Sequence, residues 1–260
     1  MEATISEREL LAVRAVVLVA TRSLSEHAST AGRSDPLAIW GVGVHPGLPA
    51  AVADFDDRAL RRQLQGTPLL SEIGLDRRSS VSLTDQQRVF AAALAAHDDN
   101  PCIASVHSSG RTGDVLSVLQ GHRCSTIILH WWRGSADETR AAIELGCYFS
   151  FNQGDAAQGS VLGLVPIDRI LTETDHPYGD RGQPDPRPGA TTPIEELINP
   201  KHPEGARSQV WSNFRSLVET AGVLTRLPPK VAGLVAAAPR AGNVTPVSSA
   251  EAGLGPESAR

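Results

Sequence analysis

Five polar side chains stand at the ends of five apolar runs: His45 in WGVGVHP, Glu72 in LLSEIGLD, His107 in IASVHSSG, His130 in IILHWWRG and Asp175 in ILTETDHPY. Histidines with carboxylates form a nitrogen-and-oxygen donor set that suits a divalent cation, and a glutamate can bridge two ions. Successive gaps are 27, 35, 23 and 45 residues, each the length of about one strand-plus-helix unit. Any one such residue, taken singly, reads first as a satisfied rim side chain. Five at the same end of five runs read as a site.

Convergence requires parallel strands. The apolar runs at residues 16–21, 39–45, 69–75, 102–107, 126–130, 147–151 and 169–174 are short and β-branched, and helical patterns separate them. Ser6-x-x-Glu9, Thr84-x-x-Gln87 and Ser135-x-x-Glu138 have capping-box form and open three of the helical stretches. Val89, Phe90, Ala93 and Leu94 fall on one helical face. Strand–helix alternation implies right-handed parallel crossovers. Seven strands fit an α/β fold of the TIM type, a (β/α) barrel, better than an open sheet, and its strand ends share one mouth. One strand is short of the eight expected, and the chain opens on a helix from Ser6. Residues 1–225 read as the barrel. Residues 226–260, rich in Ala, Gly, Pro and Ser and lacking aromatics, read as a disordered tail. The Gly- and Pro-dense stretch 178–192 reads as a long rim loop.

Composition narrows the classes. The chain has 260 residues, 41% hydrophobic and 20% charged, with a net charge of −5. That balance argues against a protein that coats nucleic acid, but leaves room for an enzyme with a locally positive mouth. Cys102, Cys124 and Cys147 lack metal-finger spacing and read as buried, reduced thiols. No signal pattern or membrane-length apolar run is visible, so a cytoplasmic protein with no membrane partner is expected.

The strings GVGVHPG, SEIGLD, VHSSGR, ILHWWRG and RILTETDHPY resemble, in order and spacing, the signature segments of the TatD-like metal-dependent hydrolases, from about Val16 to Tyr178 and more loosely through WSNFRSLV. The resemblance implies a barrel that hydrolyses phosphodiester bonds in DNA or another nucleic acid, using one or two divalent ions (Mg²⁺, Mn²⁺ or Zn²⁺). Glu72 matches the family's bridging carboxylate. His107 and His130 match the histidines that hold one metal, and Asp175 the aspartate that binds the other and can deprotonate water. His45 matches a mouth histidine that touches the substrate phosphate.

The chain also departs from the family. Members begin with a strand ending in an H-x-H pair, and no H-x-H occurs here. The missing pair and the missing strand together imply that roughly ten N-terminal residues are lacking, about one strand. A misplaced start or a degenerate paralogue would produce both. A one-metal site on Glu72, His107 and His130, or a reduced two-metal site, is then expected. His27 reads as a surface residue in a polar loop. Arg111 reads as a phosphate partner or a helix-start surface residue. Trp131 and Trp132 read as packing residues, with stacking on a base as the sharper reading. His176 is a possible substrate contact, and Lys201 and Arg207 read as solvated. Besides the phosphodiesterase, a catalytically silent barrel that binds a protein partner and a hydrolase of small amides or esters are the competing readings.

Overall fold

The computed structural model describes residues 6–13, 15–156, 161–183, 186–199 and 203–240. The first half of the chain runs α1 (Glu7–Ala12), β1 (Val17–Ala20), α2 (Leu24–Ser29), β2 (Ala38–Gly41), α3 (Pro49–Ala53), α4 (Asp57–Leu64), β3 (Leu69–Gly74) and α5 (Leu83–Asp99). There follow β4 (Ile103–His107), α6 (Thr112–Leu119), β5 (Ile127–Leu129), α7 (Ala136–Glu144), β6 (Tyr148–Phe151), α8 (Gln153–Ala156) and β7 (Ile170–Thr172). Three helices, α9 (Thr192–Ile198), α10 (Pro203–Ala221) and α11 (Pro229–Ala237), close the described chain. Six of the seven strands lie inside the ranges expected for them, and β2 starts one residue before its own, at Ala38.

All the pairings are parallel and follow chain order: β1 with β2, then β3 through β7. A parallel bridge between Val42 and Leu70 carries the series from β2 to β3. This is the TIM-type α/β arrangement. Among the described residues no ladder joins β7 to β1, so the series stays open there.

Alternation along the strands divides the core. Ile39, Leu69, Ile103, Ile128, Tyr148 and Leu171, one from each of β2 to β7, pack with Phe214, Leu217 and Val218 of α10 and Val231 and Val235 of α11. The alternate residues, such as Leu70, Ala104, Leu129 and Phe149, pack with Leu60 and Leu64 of α4 and Phe90 and Leu94 of α5. The mouth histidines share the inner parity: His107 is four residues beyond Ile103, and His130 two beyond Ile128.

Three local expectations need correction. The tail expected from residue 226 folds at its start. Leu227, Val231 and Val235 are buried at four-residue spacing, and the Arg226 guanidinium donates to the carbonyls of Leu64 and Thr67, both at 2.6 Å. Residues 241–260 lie outside the described residues. The α5 cap is Ser82, whose hydroxyl accepts from the Asp85 N–H, not Thr84. His27 belongs to α2, not a loop, and its Nδ1 lies 2.8 Å from Gln63 Oε1. The capping boxes at Ser6 and Ser135 form in full. The three cysteines are buried and free. No helix among the described residues is long and apolar enough to cross a membrane.

Candidate metal centre

Strand geometry alone would not deliver Glu72. Counting in twos from the inward Leu69 turns Ser71 and Ile73 inward and Glu72 outward. The sequence escapes this with an irregularity in the β3–β4 register between Leu70 and Ile73, and Glu72 takes φ +50°. Gly74 completes the bend at φ +135°, where a Cβ would come within 2.0 Å of the His107 carbonyl oxygen. Among the described residues the other non-glycine positions at positive φ are Trp131 and Asp175, both at the same mouth. Left-handed backbone in bulky residues costs about 1–3 kcal/mol each, and such strain concentrates at functional sites.

The Glu72 carboxylate stands at the centre. Its Oε2 is 3.5 Å from His45 Nε2 and 3.8 Å from His107 Nδ1, and its Oε1 is 3.6 Å from His130 Nε2. Donor atoms of Glu72, His130 and Asp175 lie within 4.8 Å of one another. Glu72 Oε2 and His130 Nε2 are buried and have no hydrogen-bond partner among the described residues. Orphaned polar atoms converging on one point are costly unless a cation or ordered water fills it. Glu72, His130 and Asp175, with His107 facing the other Glu72 oxygen, therefore offer donors that suit a divalent metal ion.

Each of the two histidines has a carboxylate behind it. His107 Nε2 is 3.4 Å from Asp76 Oδ2, and His130 Nδ1 is 3.9 Å from Glu173 Oε2. A carboxylate on the far nitrogen fixes the ring and leaves the near nitrogen's lone pair for a metal. Asp76 is held by the Arg78 N–H at 2.7 Å, and Glu173 accepts a short hydrogen bond from Ser150 Oγ.

His45 is different. The Gly47 N–H donates to its Nδ1 at 2.8 Å, so the neutral ring carries its proton on Nε2, facing Glu72. Donor atoms of His45, Glu72 and His107 also lie within 4.8 Å of one another. This tautomer nonetheless leaves His45 no lone pair for a cation and makes it a donor into the site.

The electrostatics follow from burial. Burial works to raise the Glu72 carboxyl, but His130, His45, His107 and Arg22 outweigh it and hold it below its ordinary value. Burial works against a charged His130, yet Glu72, Glu173 and Asp175 raise it. Burial lowers His45, against the pull of the Glu72 carboxylate. Burial raises Asp175, with Glu72 and Asp180 adding to it. Glu173, fully enclosed, is pushed up to about 7, chiefly by burial.

A sequence profile of TatD related DNase matches residues 2–219. The chain belongs to the TatD-related DNase family. It is 27% identical over 179 residues to the 3′-5′ ssDNA/RNA exonuclease TatD of Pantoea vagans (strain C9-1), covering 64% of this chain and 69% of that protein. It is 31% identical over 150 residues to the uncharacterized metal-dependent hydrolase YabD of Bacillus subtilis (strain 168), covering 53% and 58%. The crystal structure of the TatD homolog YJJV from Escherichia coli K12 aligns with a TM-score of 0.65 at 17% identity, covering 77% of this chain and 85% of that one. A hydrolase TatD family protein from Entamoeba histolytica aligns at 0.62 and 16%. The two structures support the fold.

Among the residues singled out for chemistry, this TatD-family chain brings His45, Glu72, His107, His130 and Asp175 to one cavity of about 1210 Å³. Arg111 is not on that wall, and its Nη1 donates to Asp114 at 3.1 Å. His176 is on the wall, with its Nδ1 2.7 Å from Asp180. Arg207 pairs with Glu195 at 2.6 Å, and Lys201 lies outside the described residues. Asp76 and Glu173 escaped the sequence reading. Their signal was available: each is a second carboxylate in a signature string, Asp76 four residues after Glu72 and Glu173 two before Asp175.

Proposed function

We propose that this chain is a metal-dependent phosphodiesterase that shortens single-stranded nucleic acid from an end. The observation that carries the reading is the Glu72 carboxylate, with one oxygen toward His107 and the other toward His130. The exonuclease named among the relatives supports the substrate class. Glu72, His107, His130 and Asp175 would hold the ion. Two nitrogens and two carboxylates favour Mn²⁺ or Zn²⁺ over Mg²⁺. When bound, the ion would lower the pKa of water and neutralise charge on the phosphoryl group.

The protein's own groups do the rest. Asp175, beside Glu72 and His130, is placed to take the proton from the attacking water. The water oxygen bonds to phosphorus as the phosphorus–sugar oxygen bond breaks, and the leaving sugar oxygen takes up a proton from solvent. The His45 Nε2–H hydrogen-bonds to a phosphoryl oxygen that gains charge as water adds. Asp76 and Glu173 keep His107 and His130 oriented.

The test uses purified chain with Mg²⁺, Mn²⁺ or Zn²⁺ on single-stranded DNA labelled at either end. Progressive shortening from the 3′ end, absent in Glu72→Gln, is the expected result. An intact strand with every ion would overturn the reading and leave a silent, partner-binding barrel.

A further inference from the structure

Trp131 and Trp132 are consecutive but differently placed. Trp132 is fully buried; its indole N–H donates to Thr139 Oγ1 at 2.8 Å, and its ring meets Phe149 edge-on with centroids 5.8 Å apart. Trp131 is only partly buried, its indole nitrogen enclosed without a partner among the described residues, and forms part of the cavity wall directly after His130. Its backbone is left-handed at φ +44°, and its N–H is directed to the Glu173 carboxylate. Among the described residues no aromatic ring or cation stacks on it. A large flat apolar surface is thus held at the mouth under backbone strain, where burying it in the core would have been more favourable.

Unspent positive charge lines the same cavity. Arg77 and Arg78 follow Asp76 in the loop after β3; both are exposed, and neither guanidinium has an acidic partner among the described residues. Arg61 and Arg207, by contrast, are paired with carboxylates. The Arg77 backbone is fixed by its N–H to the Ser109 carbonyl at 2.9 Å, and its stem lies over Gly110, where a Cβ would meet it at 3.1 Å. The loop is anchored while the charged heads remain free.

Resting on the nucleic-acid reading above, we propose that Trp131 is a stacking platform for the base beside the scissile phosphate, and that Arg77 and Arg78 take neighbouring backbone phosphates. A π-face accepts any base, but only one already out of a duplex. The pair of features therefore selects single strands without selecting sequence.

The experiment measures fluorescence anisotropy of two short phosphorothioate strands with Mn²⁺: oligothymidylate, and the same strand lacking the bases of its two 3′-terminal nucleotides. Wild type is expected to prefer the base-bearing strand by about tenfold. Trp131→Ala erases that preference, and Trp131→Phe retains most of it. Arg77→Ala with Arg78→Ala weakens both strands alike, keeps the preference, and flattens the logarithmic salt dependence by about 1–2. Equal binding of the two strands by wild type overturns the proposal. So does a preference that survives in a Trp131→Ala protein with an unchanged melting curve. If the preference is found while ordinary DNA stays uncut, the hydrolytic reading fails and the platform stands. If DNA is cut while the two strands bind equally, the platform fails alone.

Discussion

The two sides of the strand series are built differently. From β3 to β5 the strands are paired on both ladders with one irregularity at Glu72, every residue of β3 and β5 is buried, and Glu72, His107 and His130 are delivered there. Between β7 and β1 no ladder forms among the described residues, and the cavity reaches down between them. Its wall there is Ala15–Ala20 on one side and Leu171–Asp175 on the other. β1 contributes only aliphatic side chains (Val17, Leu18, Val19 and Ala20) and no ligand. Most of the chemistry thus sits on the paired side, while Asp175 and Glu173, the carboxylate behind His130, reach it from the open one. Tight packing on the ligand side preorganises donors that would otherwise need ordering at binding.

The largest effect should come from Glu72→Gln, which removes the carboxylate shared by both histidines. In wild type, a metal ion at 100 times its Kd stabilises the fold by about 2.7 kcal/mol. For a chain of this size that raises Tm by about 5–10 °C. Glu72→Gln should abolish both that shift and hydrolysis, as read by thermal melts with and without Mn²⁺. A variant that keeps the shift would move the centre away from Glu72.

The same contrast predicts unequal stability costs. Leu129→Ala in β5 empties a fully buried position and should cost about 2–5 kcal/mol. Leu18→Ala in β1, at a half-buried position on the cavity wall, should cost about 1 kcal/mol or less. Urea unfolding would measure both. Equal costs would mean that β1 is as tightly enclosed as β5.

Next come the two supporting carboxylates. Glu173→Gln and Asp76→Asn should each lower metal affinity about 10–100-fold, with the buried Glu173 toward the upper end. Glu173 also sets a pH signature in the metal-free protein. Its carboxyl is raised from 4.5 to about 7, so the folded state holds a proton that the unfolded chain releases. Stability from this group is therefore lost as pH rises through that window. His130, raised by its neighbours, acts in the same direction: its contribution is complete below the unfolded value and lost as pH passes the folded one. In a chelator, Tm should fall from about pH 5 to about pH 8, and Glu173→Gln should flatten the curve. A Tm that rises over that range would contradict the burial of Glu173.

Much of this was legible in the sequence, for a physical reason. Parallel strands buried on both faces read as apolar runs, and a polar residue ending such a run marks the mouth. The seven strands and the five clustered residues were visible on that basis. What stayed hidden were interactions that period alone does not encode. Asp76 and Glu173 matter through what stands in front of them, His107 and His130. The bend that turns Glu72 inward depends on a left-handed residue, which no side-chain preference of glutamate announces. Helix α11 hid behind its Ala- and Pro-rich composition. Its four-residue stripe of Leu227, Val231 and Val235, and the proline at its first turn, were nevertheless present. For Arg111, read as a phosphate partner or a helix-start residue, the structure shows the residue before α6 with its guanidinium donating to Asp114.

The finest test separates neighbouring residues of one strand. In β1 the Val17 N–H donates to the Leu37 carbonyl, and just beyond the strand the Thr21 N–H donates to Gly41, so odd-numbered amides face β2. Alternation turns the N–H groups of Leu18 and Ala20 the other way, toward the gap, where no described backbone carbonyl accepts them. β4 lies between two ladders, so its amides have acceptors on both sides. Hydrogen exchange should therefore be fast at Leu18 and Ala20, slower at Val17 and Val19, and slowest at Val106. If Leu18 and Ala20 exchanged as slowly as Val19, their amides would be paired in solution. The gap would then be filled by backbone, and the contrast between the two sides would reduce to one of ligands alone.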